Sequence, residues 1–380
     1  MTPRRSGGDL PLAPGKLPVK VLRRVVRLHG ADDRRVRLGP AFGEDAAVID
    51  LGSHFLILKT DPVTFTTDEI GWYAVHVNAN DVAVMGCRPA WFQATVIVPP
   101  GTAAATVTAI ARDIHRTARG LGIAVTGGHT EVSPAVRQPI VVGDMQGLVP
   151  RGDLVTSAGA RVGDVVAVTQ AAGIEGTSIL ARTFPQEATG WLGRAGQRRA
   201  ARFHHRPGIS VVAAALAAAR AGATAMHDPT EGGVAAALAE MASAAGRRFR
   251  IDLDAIPVLP LTARLCAGFG LRPLGLIASG ALLVTMPARA FAGMARVLRR
   301  DGVPLTRIGV VDAGRGVIAT RGGKRVRFEW SPQDELARLL GPPAPRGVPT
   351  VPVLSTAPHG AARGARQRLR RAAHDGSDCL

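Results

Sequence analysis

The sequence predicts an α+β protein built from two domains. Its 380 residues are enough for two hydrophobic cores of ordinary size. Hydrophobic residues make up 46% of the chain, as in globular proteins, but aromatic residues only 4%, so aliphatic side chains must form the cores. Segments with the patterns of strands and of helices are mixed along the whole chain, which is typical of the α/β and α+β classes.

The first half of the chain alternates between predicted strands and helices. Residues 54–61 contain a short apolar run that predicts a buried strand, which ends at the KTDP sequence. Helices are predicted over residues 72–86 and 103–120, the second because its apolar residues recur on one face. After a further strand-like segment, the sequence GGHTEV (127–132) is interpreted as a glycine-rich loop.

The second half repeats this mixture of elements after a boundary that we predict near residues 151–163. Apolar runs predict strands, and Ala-rich segments predict helices. The predicted strands are 164–169, 280–287 and 306–311, and the predicted Ala-rich helices are 209–222 and 231–246.

These patterns divide the chain into four parts. Residues 1–18 are rich in Pro and Gly and are expected to be flexible. Residues 19–155 form the predicted N-terminal domain, and residues 156–340 form the C-terminal domain. Residues 341–380 are rich in Pro, Ala, Gly and Arg, a composition that predicts a disordered tail.

The net charge of +18 comes mainly from scattered pairs of arginines. Such a charge fits nucleic acid, phosphorylated ligands or simply solvated surfaces. No aromatic residues interleave with the arginines, and Tyr73 is the only tyrosine, so we do not expect a nucleic acid partner.

The sequence shows no apolar run of about 20 residues and no secretory signal, and its three cysteines are far apart. A cytoplasmic protein without a membrane partner is expected.

Acidic residues occur where apolar segments meet small residues. A carboxylate inside an apolar helix is costly if it is buried unpaired, so Asp81 must face solvent, pair with a base or bind a cation. Several converging carboxylates with few nearby lysines favour Mg²⁺, which prefers oxygen ligands and bridges phosphates. The acids in such positions are Asp45, Asp61, Asp81, Glu131, Asp228 and Glu231.

Glycine-rich turns accompany these acids and would let backbone N–H groups approach phosphate oxygens. Each motif also has an ordinary structural interpretation. TDP fits a turn, Asn80 and Asp81 fit a local hydrogen-bonded pair, and DPTEGG fits a helix N-cap. The occurrence of five such motifs in one order favours a binding site over these separate explanations.

The motifs GEDAAVID, KTDP, NANDVAVMGCRP, GGHTEV and HDPTEGG resemble those of the PurM-like ATP-binding superfamily. This superfamily includes aminoimidazole ribonucleotide synthase, thiamine-monophosphate kinase, selenophosphate synthetase and the hydrogenase maturation factor HypE. The resemblance runs from about Gly39 to Val310, and DPTEGG and CRPA make it strongest for HypE-like and AIR synthase-related proteins. It is specific because separated motifs agree in order and spacing.

The resemblance implies a two-domain PurM-like α+β fold with a C-terminal α/β domain. The N-terminal domains would pair into a homodimer and form the ATP cleft. Carried over by motif, the metal ligands would be Asp45, Asp61 and Asp81, and Thr230 and Glu231 would contribute from the second domain. We expect the catalytic residues to be His129, Glu131 and Glu231. The expected ATP-binding residues are Gly43, Thr60, Asn80, Gly127, Gly128, Thr130, Asp228, Thr230 and Gly232.

Two features depart from the family pattern. The double glycine is usually followed by an acid, whereas this chain has His129, and a neutral imidazole prefers transition metals to Mg²⁺. His129 could instead donate a hydrogen bond to phosphate, act as an acid or base, or simply form a hydrogen bond with the backbone.

The chain ends in GSDCL, with Cys379 as the penultimate residue, and this ending differs from the one typical of HypE. We therefore interpret Cys379 as a cysteine without a role. Cys87 and Cys266 are interpreted as small buried residues.

The sequence therefore predicts an ATP- and Mg²⁺-dependent enzyme that activates a carboxamide or carbonyl oxygen by phosphoryl transfer. The acceptor would be a small molecule or a group carried by a protein, and the pathway would be maturation of a hydrogenase or another metallocentre, with a maturation protein as partner. Two alternatives remain open at this point. One is a non-catalytic assembly partner that binds nucleotide, and the other is a small-molecule kinase of the thiamine-monophosphate kinase type.

Overall fold

The computed structural model describes residues 12, 15–64 and 66–340. Within them, the N-terminal part forms a six-stranded sheet in the order β1-β2-β3-β6-β4-β5. Neighbouring strands are antiparallel except for β4 and β5, which run parallel. The strands are β1 (Val36–Leu38), β2 (Ala47–Asp50), β3 (His54–Val63), β4 (Trp91–Val98), β5 (Ala124–Val132) and β6 (Ile140–Pro150).

Three helices accompany this sheet. They are α1 (Val19–Val25), α2 (Ile70–Val84) and α3 (Ala104–Leu121). The amphipathic pattern of α3 is confirmed, because Ile110, Ile114 and Ala118 are buried on the face toward α2. By contrast, α2 is buried nearly all round, since it contacts the sheet, α3 and elements of the second half of the chain. The position of α2 explains why an acid in this helix lies in the interior.

The C-terminal part forms a seven-stranded sheet in the order β13-β12-β9-β11-β7-β10-β8 among the described residues. Its strands are β7 (Asp164–Thr169), β8 (Ala225–His227), β9 (Arg248–Asp252), β10 (Leu283–Pro287), β11 (Leu305–Asp312), β12 (Gly316–Arg321) and β13 (Lys324–Val326). Its helices are α4 (Ile174–Thr183), α5 (Pro185–Ala201), α6 (Val212–Arg220), α7 (Gly233–Ala245), α8 (Pro260–Phe269), α9 (Phe291–Arg300) and α10 (Glu335–Leu340). The predicted α+β class with two domains is confirmed.

The two halves share hydrophobic contacts around α2. Phe203 and Ile209 from the second half pack into the core of the first. Ala83 and Val84 at the end of α2 pack in turn with residues of the second half. The apolar residues are mainly aliphatic, as the composition predicts, and both Cys87 and Cys266 are buried as expected. Because of this shared core, residues near α2 can come from both halves of the chain.

Two local predictions from the sequence are wrong. The strand β3 does not end at Asp61 but continues to Val63, because Asp61 and Pro62 remain paired with β6. The sequence GGHTEV is not a loop but the second part of β5. Gly128 makes this pairing possible, because a Cβ there would lie 2.2 Å from the Ala94 carbonyl oxygen of β4. The two glycines favour a loop locally, but the close pairing of β5 with β4 outweighs this preference and itself requires glycine.

The predicted flexible segment and tail fall largely outside the described residues. This holds for residues 1–11 and 13–14 and for 341–380, including Cys379. Lys16, at the end of the predicted flexible segment, is described and makes ion pairs with Glu231 and Glu240. Among the described helices, none has both the length and the apolar character that a transmembrane span requires.

Candidate active site

Three aspartates converge where the two halves of the chain meet. Asp45, Asp81 and Asp228 each place a carboxylate oxygen within 4.8 Å of the others, and all three side chains are buried. Asp45 precedes β2, Asp81 lies in the last turn of α2, and Asp228 directly follows β8. We refer to these three residues as the acidic cluster.

The loop that carries Asp45 depends on a glycine. Gly43 has a φ of +88°, and a Cβ at this position would lie 2.6 Å from the Glu240 carbonyl oxygen of α7. Only glycine accepts both this backbone conformation and this close approach. The glycine of the GEDA motif therefore positions the loop against α7, which places Asp45 at the acidic cluster.

Lys59 is the cation closest to two of the predicted metal ligands. Its Nζ lies 3.3 Å from Asp61 Oδ2 and 3.2 Å from Asp81 Oδ2. Lys59 and Asp61 are two residues apart in β3, so alternation places both on one face of the sheet. Despite its burial, the carboxylates of Asp81 and Asp61 raise the pKa of Lys59, which keeps it charged. The sequence did not lead us to expect a lysine at this site.

A second buried chain of polar contacts links Asp45 to the other half of the molecule. The imidazole of His227 lies between Asp45, at 2.7 Å, and Glu240, at 3.3 Å. The Ser157 hydroxyl lies 3.0 Å from Asp45 Oδ2 and also contacts the His227 ring. Although burial opposes it, Asp45 and Glu240 raise the pKa of His227 well above its usual value, so the imidazolium form is favoured.

Lys16 extends this chain to Glu231. Its Nζ lies 3.7 Å from Glu240 and 3.9 Å from Glu231. Burial would raise the pKa of Glu240, but Lys16 and His227 together lower it to about 2. Lys16 therefore connects Glu231, a predicted catalytic residue, to the polar network that reaches Asp45 through Glu240 and His227. It makes no direct contact with the acidic cluster in the described residues.

The acidic cluster offers a donor set that suits a hard divalent ion. Burial, with the Asp45 carboxylate, raises the pKa of Asp228 to about 6, and burial also raises that of Asp81. Neither oxygen of Asp228 accepts a hydrogen bond from a donor in the described residues. Since buried carboxylates that face each other require a proton or a cation between them, a hard divalent ion fits this group. The three aspartates present the oxygen ligands that such an ion prefers.

Several predicted nucleotide-binding residues form hydrogen bonds within the protein. The amide of Asn80 bonds the backbone of Ile209 and Val211, both at 2.8 Å. The Thr60 hydroxyl donates to the Gly143 carbonyl, and the Gly232 N–H donates to Asp334. These groups therefore connect neighbouring elements of the fold through internal hydrogen bonds. Thr230 lies in the turn before α7, where its carbonyl accepts from Gly233.

The GGHTEV residues lie apart from the acidic cluster within one protomer. His129 and Glu131 share one face of β5, and His129 Nε2 lies 3.3 Å from Glu131 Oε2. No described hydrogen bond or ion pair joins either of them to the acidic cluster. Every residue of β5 is exposed, including Gly127, Gly128 and Thr130, and β5 is an edge of its sheet.

Sequence reasoning missed the basic members of the site. Lys59 had a usable signal, because it precedes the KTDP aspartate by two residues in an apolar strand. His227 directly precedes Asp228, but no local pattern shows that it contacts Asp45, which is 182 residues earlier. Ser157 and Glu240 likewise join the site only through long-range contacts.

Comparison with known proteins decides the family. Residues 43–149 match the family "AIR synthase related protein, N-terminal domain", and residues 161–321 match "AIR synthase related protein, C-terminal domain". The chain belongs to the AIR synthase related protein family. The two matches together span most of the chain, and they confirm the PurM-like family predicted from the motifs.

Among curated proteins, this AIR synthase related chain is similar to carbamoyl dehydratase HypE from several organisms, among them Rhodobacter capsulatus and Cupriavidus necator. The protein of Rhodobacter capsulatus is 32% identical over 311 residues, which cover 80% of this chain and 87% of the relative. That of Cupriavidus necator is 30% identical over 299 residues, which cover 75% and 82% of the two chains. The predicted similarity to HypE-like proteins is confirmed.

Solved structures share the fold of this AIR synthase related chain. Hydrogenase maturation protein HypE in complex with ATP has a TM-score of 0.64 at 22% identity, covering 81% of this chain and 94% of the other. AaThiL complexed with AMPPCP and TMP has a TM-score of 0.65 at 21% identity, covering 82% and 94%. A HypE–HypF complex has a TM-score of 0.68 at 19% identity, covering 83% and 100%. These likenesses establish a common fold.

Proposed function

We propose that this protein is an ATP- and Mg²⁺-dependent enzyme that activates a carboxamide oxygen by phosphoryl transfer, as a carbamoyl dehydratase does. The observation that carries the proposal is the buried acidic cluster, in which Asp228 lacks hydrogen-bond donors in the described residues. The curated relatives named carbamoyl dehydratase and the HypE structure in complex with ATP support it.

The acidic cluster supplies the oxygen ligands for the metal. Asp45, Asp81 and Asp228 would hold Mg²⁺, which when bound neutralises phosphate charge. Lys59 is placed to offset part of the remaining negative charge on Asp61 and Asp81. His227 fixes the orientation of Asp45 through a buried ion pair, so the ligand does not have to reorganise when the ion binds.

The proposed reaction is a dehydration driven by ATP. The carboxamide oxygen takes the γ-phosphoryl group and ADP leaves, giving an O-phosphorylated imidate after loss of one N–H proton. Breaking the C–O bond then releases phosphate, and loss of the second N–H proton leaves a nitrile. The chain needs no covalent nucleophile for this sequence, because positioning and charge neutralisation lower the barrier.

A homodimer completes the proposal. The strand β5 is an exposed sheet edge, and Val125 and Val132 in it are 46% and 64% exposed. An exposed edge strand with apolar side chains is suited to pairing with a second copy. In that arrangement, His129, Thr130 and Glu131 of one copy would contribute to the ATP cleft of the other, with His129 and Glu131 as acid–base groups. A Val125→Glu variant should then sediment as a monomer, and an unchanged dimer would contradict this assignment of the interface.

The experiment that tests the enzyme activity measures ATP turnover with an S-carbamoylated cysteine peptide as acceptor. We expect ADP and phosphate to form only with Mg²⁺ and peptide, and the peptide to lose the mass of one water. Asp81→Asn should reduce the rate by about 100-fold or more, because it removes a metal ligand that stabilises the transition state. Asp312→Asn, at a half-buried position outside the acidic cluster, serves as the control. Folded protein that neither binds ATP nor turns it over would refute the proposal.

The same assay separates the alternative functions. A kinase of the thiamine-monophosphate type would transfer phosphate to a small molecule and leave the peptide unchanged; the shared fold with AaThiL supports testing this substrate. A non-catalytic assembly partner would bind ATP without turnover. A HypF-like maturation partner is also proposed, supported by the fold that this chain shares with the HypE–HypF complex.

A further inference from the structure

A second group of metal-ligating side chains shares no residue with the acidic cluster. It consists of Glu69 at the start of α2 and of His204 and His205 in the segment before α6. Glu69 Oε2 lies 2.7 Å from His204 Nε2, and Glu69 Oε1 lies 3.0 Å from His205 Nε2. One ligand atom from each residue lies within 4.8 Å of the others. We call this group the histidine cluster.

The hydrogen bonds of His204 determine its tautomer, and so which ring nitrogen has a free lone pair directed toward Glu69 and His205. The Ser178 hydroxyl donates its only proton to the Ala201 carbonyl at 2.8 Å. It therefore accepts at 2.7 Å from His204 Nδ1–H. A neutral His204 then presents an unprotonated Nε2 toward the Glu69 carboxylate, which is the tautomer that a metal ion binds.

Aromatic packing fixes the imidazole rings in place. The Trp72 ring lies 5.5 Å from the ring of His204 and 4.7 Å from that of His205. Tyr73 stacks on His204 at 5.8 Å. His204 is buried, whereas about 40% of the His205 side chain is exposed, so an ion could enter from solvent. The ligands are therefore positioned before any ion binds.

A neighbouring buried histidine adds an independent observation. His76 lies two turns after Glu69 on α2, and its ring is 4.3 Å from Trp72, which also contacts His205. His76 is buried, and its Nδ1 has no hydrogen-bond partner among the described residues. An unsatisfied buried nitrogen is costly, and a water or other ligand in this region would satisfy it.

We propose that Glu69, His204 and His205 bind one divalent transition metal ion of the Zn²⁺ type, with solvent completing the coordination. Two imidazoles and one carboxylate suit this class of ion and are a poor match for Mg²⁺. The ion would join the start of α2 to the segment before α6. It would therefore link the N-terminal domain to the C-terminal domain near the helix that carries Asp81.

An arrangement without metal competes with this proposal. Arg182 pairs with Asp68 and lies 3.7 Å from Glu69 Oε2. A protonated His204 could also pair directly with Glu69. In either case, the cluster would be a network of ion pairs and would bind no metal at a defined stoichiometry. Direct metal titration separates the two possibilities.

The test is a Zn²⁺ titration of the untagged full-length chain after chelator treatment, in excess Mg²⁺ to occupy the acidic cluster. We expect one Zn²⁺ per chain and an increase in the melting temperature. Co²⁺ should bind in its place with visible absorption bands from nitrogen ligands. Glu69→Gln and His205→Ala should each weaken Zn²⁺ binding at least about tenfold. The exposed His54→Ala should bind as the wild type does.

The outcomes are decisive in either direction. Loss of binding in Glu69→Gln and His205→Ala, but not in His54→Ala, would support the site. No stoichiometric binding, or equal affinity in all variants, would overturn it. Because His205 is partly exposed, its substitution should leave the protein folded, and circular dichroism checks this. The titration uses no ATP turnover, so its result is independent of the proposed enzyme activity.

Discussion

The imidazole of His227 lies 2.7 Å from the carboxylate of Asp45, and both side chains are buried. Asp45 belongs to the first sheet's domain and His227 to the second, so this contact joins the two domains at the acidic cluster. The same ring reaches Glu240 at 3.3 Å on its other side. One imidazolium therefore pairs with two buried carboxylates, and Glu240 has Lys16 as a second cationic partner.

Replacing His227 should destabilise the protein strongly. The His227→Asn variant leaves Asp45 and Glu240 without their shared cation in a buried site. Breaking a buried pair in this way costs about 3–5 kcal/mol. Urea unfolding without Mg²⁺ measures the loss, with the exposed His54→Asn as control. A loss equal to that of the control would show that His227 carries no charge in the folded protein.

Replacing Asp228 should separate intrinsic stability from metal binding. Asp228→Asn removes one of three facing carboxylates, so we expect the metal-free variant to melt at the same temperature as the wild type or higher. The melting temperature of the wild type should rise with Mg²⁺ and ATP, since a ligand of the folded state stabilises it. That rise should be absent in Asp228→Asn and present in Asp312→Asn. An equal rise in both variants would remove Asp228 from the metal site.

Glu175 should make stability dependent on pH. It is buried, and burial raises its pKa from 4.5 to about 7. Below pH 4.5 the Glu175 carboxyl is protonated in both the folded and the unfolded state, so it does not oppose folding. As the pH rises from 4.5 toward 7, the carboxyl ionises in the unfolded state but stays protonated in the folded one, and the free energy of unfolding falls. Above about pH 7, the pKa difference corresponds to a loss of roughly 3 kcal/mol in the free energy of unfolding.

The Glu175→Gln variant tests this dependence. It should be more stable than the wild type at pH 8 and should gain little at pH 4. Unfolding curves at several pH values measure the difference, and Glu329→Gln, at an exposed position, is the matched control. A difference between wild type and Glu175→Gln that does not change with pH would contradict the raised pKa.

Gly128 should not accept a side chain, although it lies in an exposed strand. Its φ is +148°, and a Cβ would lie 2.2 Å from the Ala94 carbonyl oxygen. We expect Gly128→Ala to lower the free energy of unfolding by about 1–3 kcal/mol through strain and loss of pairing with β4. Gly120→Ala, near the end of α3, meets no atom within 4 Å and should be neutral or slightly stabilising. Equal effects in denaturant unfolding would show that the close β4–β5 contact is not required.

His129 follows the double glycine at a position where the motif resemblance implies an acid. If β5 of a second copy lines the ATP cleft, His129→Asp should strengthen Mg²⁺-dependent ATP binding, because Mg²⁺ prefers carboxylate oxygen to imidazole nitrogen. Calorimetric titration of ATP with and without Mg²⁺ measures the change. His115→Asp on α3 places the same charge on a different exposed histidine. Unchanged affinity in His129→Asp would indicate that β5 lies elsewhere.

Much of the fold follows from local sequence patterns. The helix α3 is predicted because its apolar residues recur at helical spacing, and the structure has it at Ala104–Leu121. The bounds of β3 and β5 could not be predicted, since Asp61 and Gly128 are poor strand residues locally. Their pairing with β6 and β4 outweighs that preference.

The sequence by itself predicted the family and the two-domain α+β class, because motifs and hydrophobic periods are local properties of a chain. It also singled out Asp45, Asp61 and Asp81 as metal ligands and Asp228 as a nucleotide-binding residue, whereas the tertiary structure groups Asp228 with Asp45 and Asp81. Only the tertiary structure placed Lys59 between Asp61 and Asp81 and His227 against Asp45. It alone brought Glu69 to His204 and His205, which are 135 and 136 residues away. Such contacts depend on how the two sheets pack around α2, and no pattern within a short segment encodes that packing.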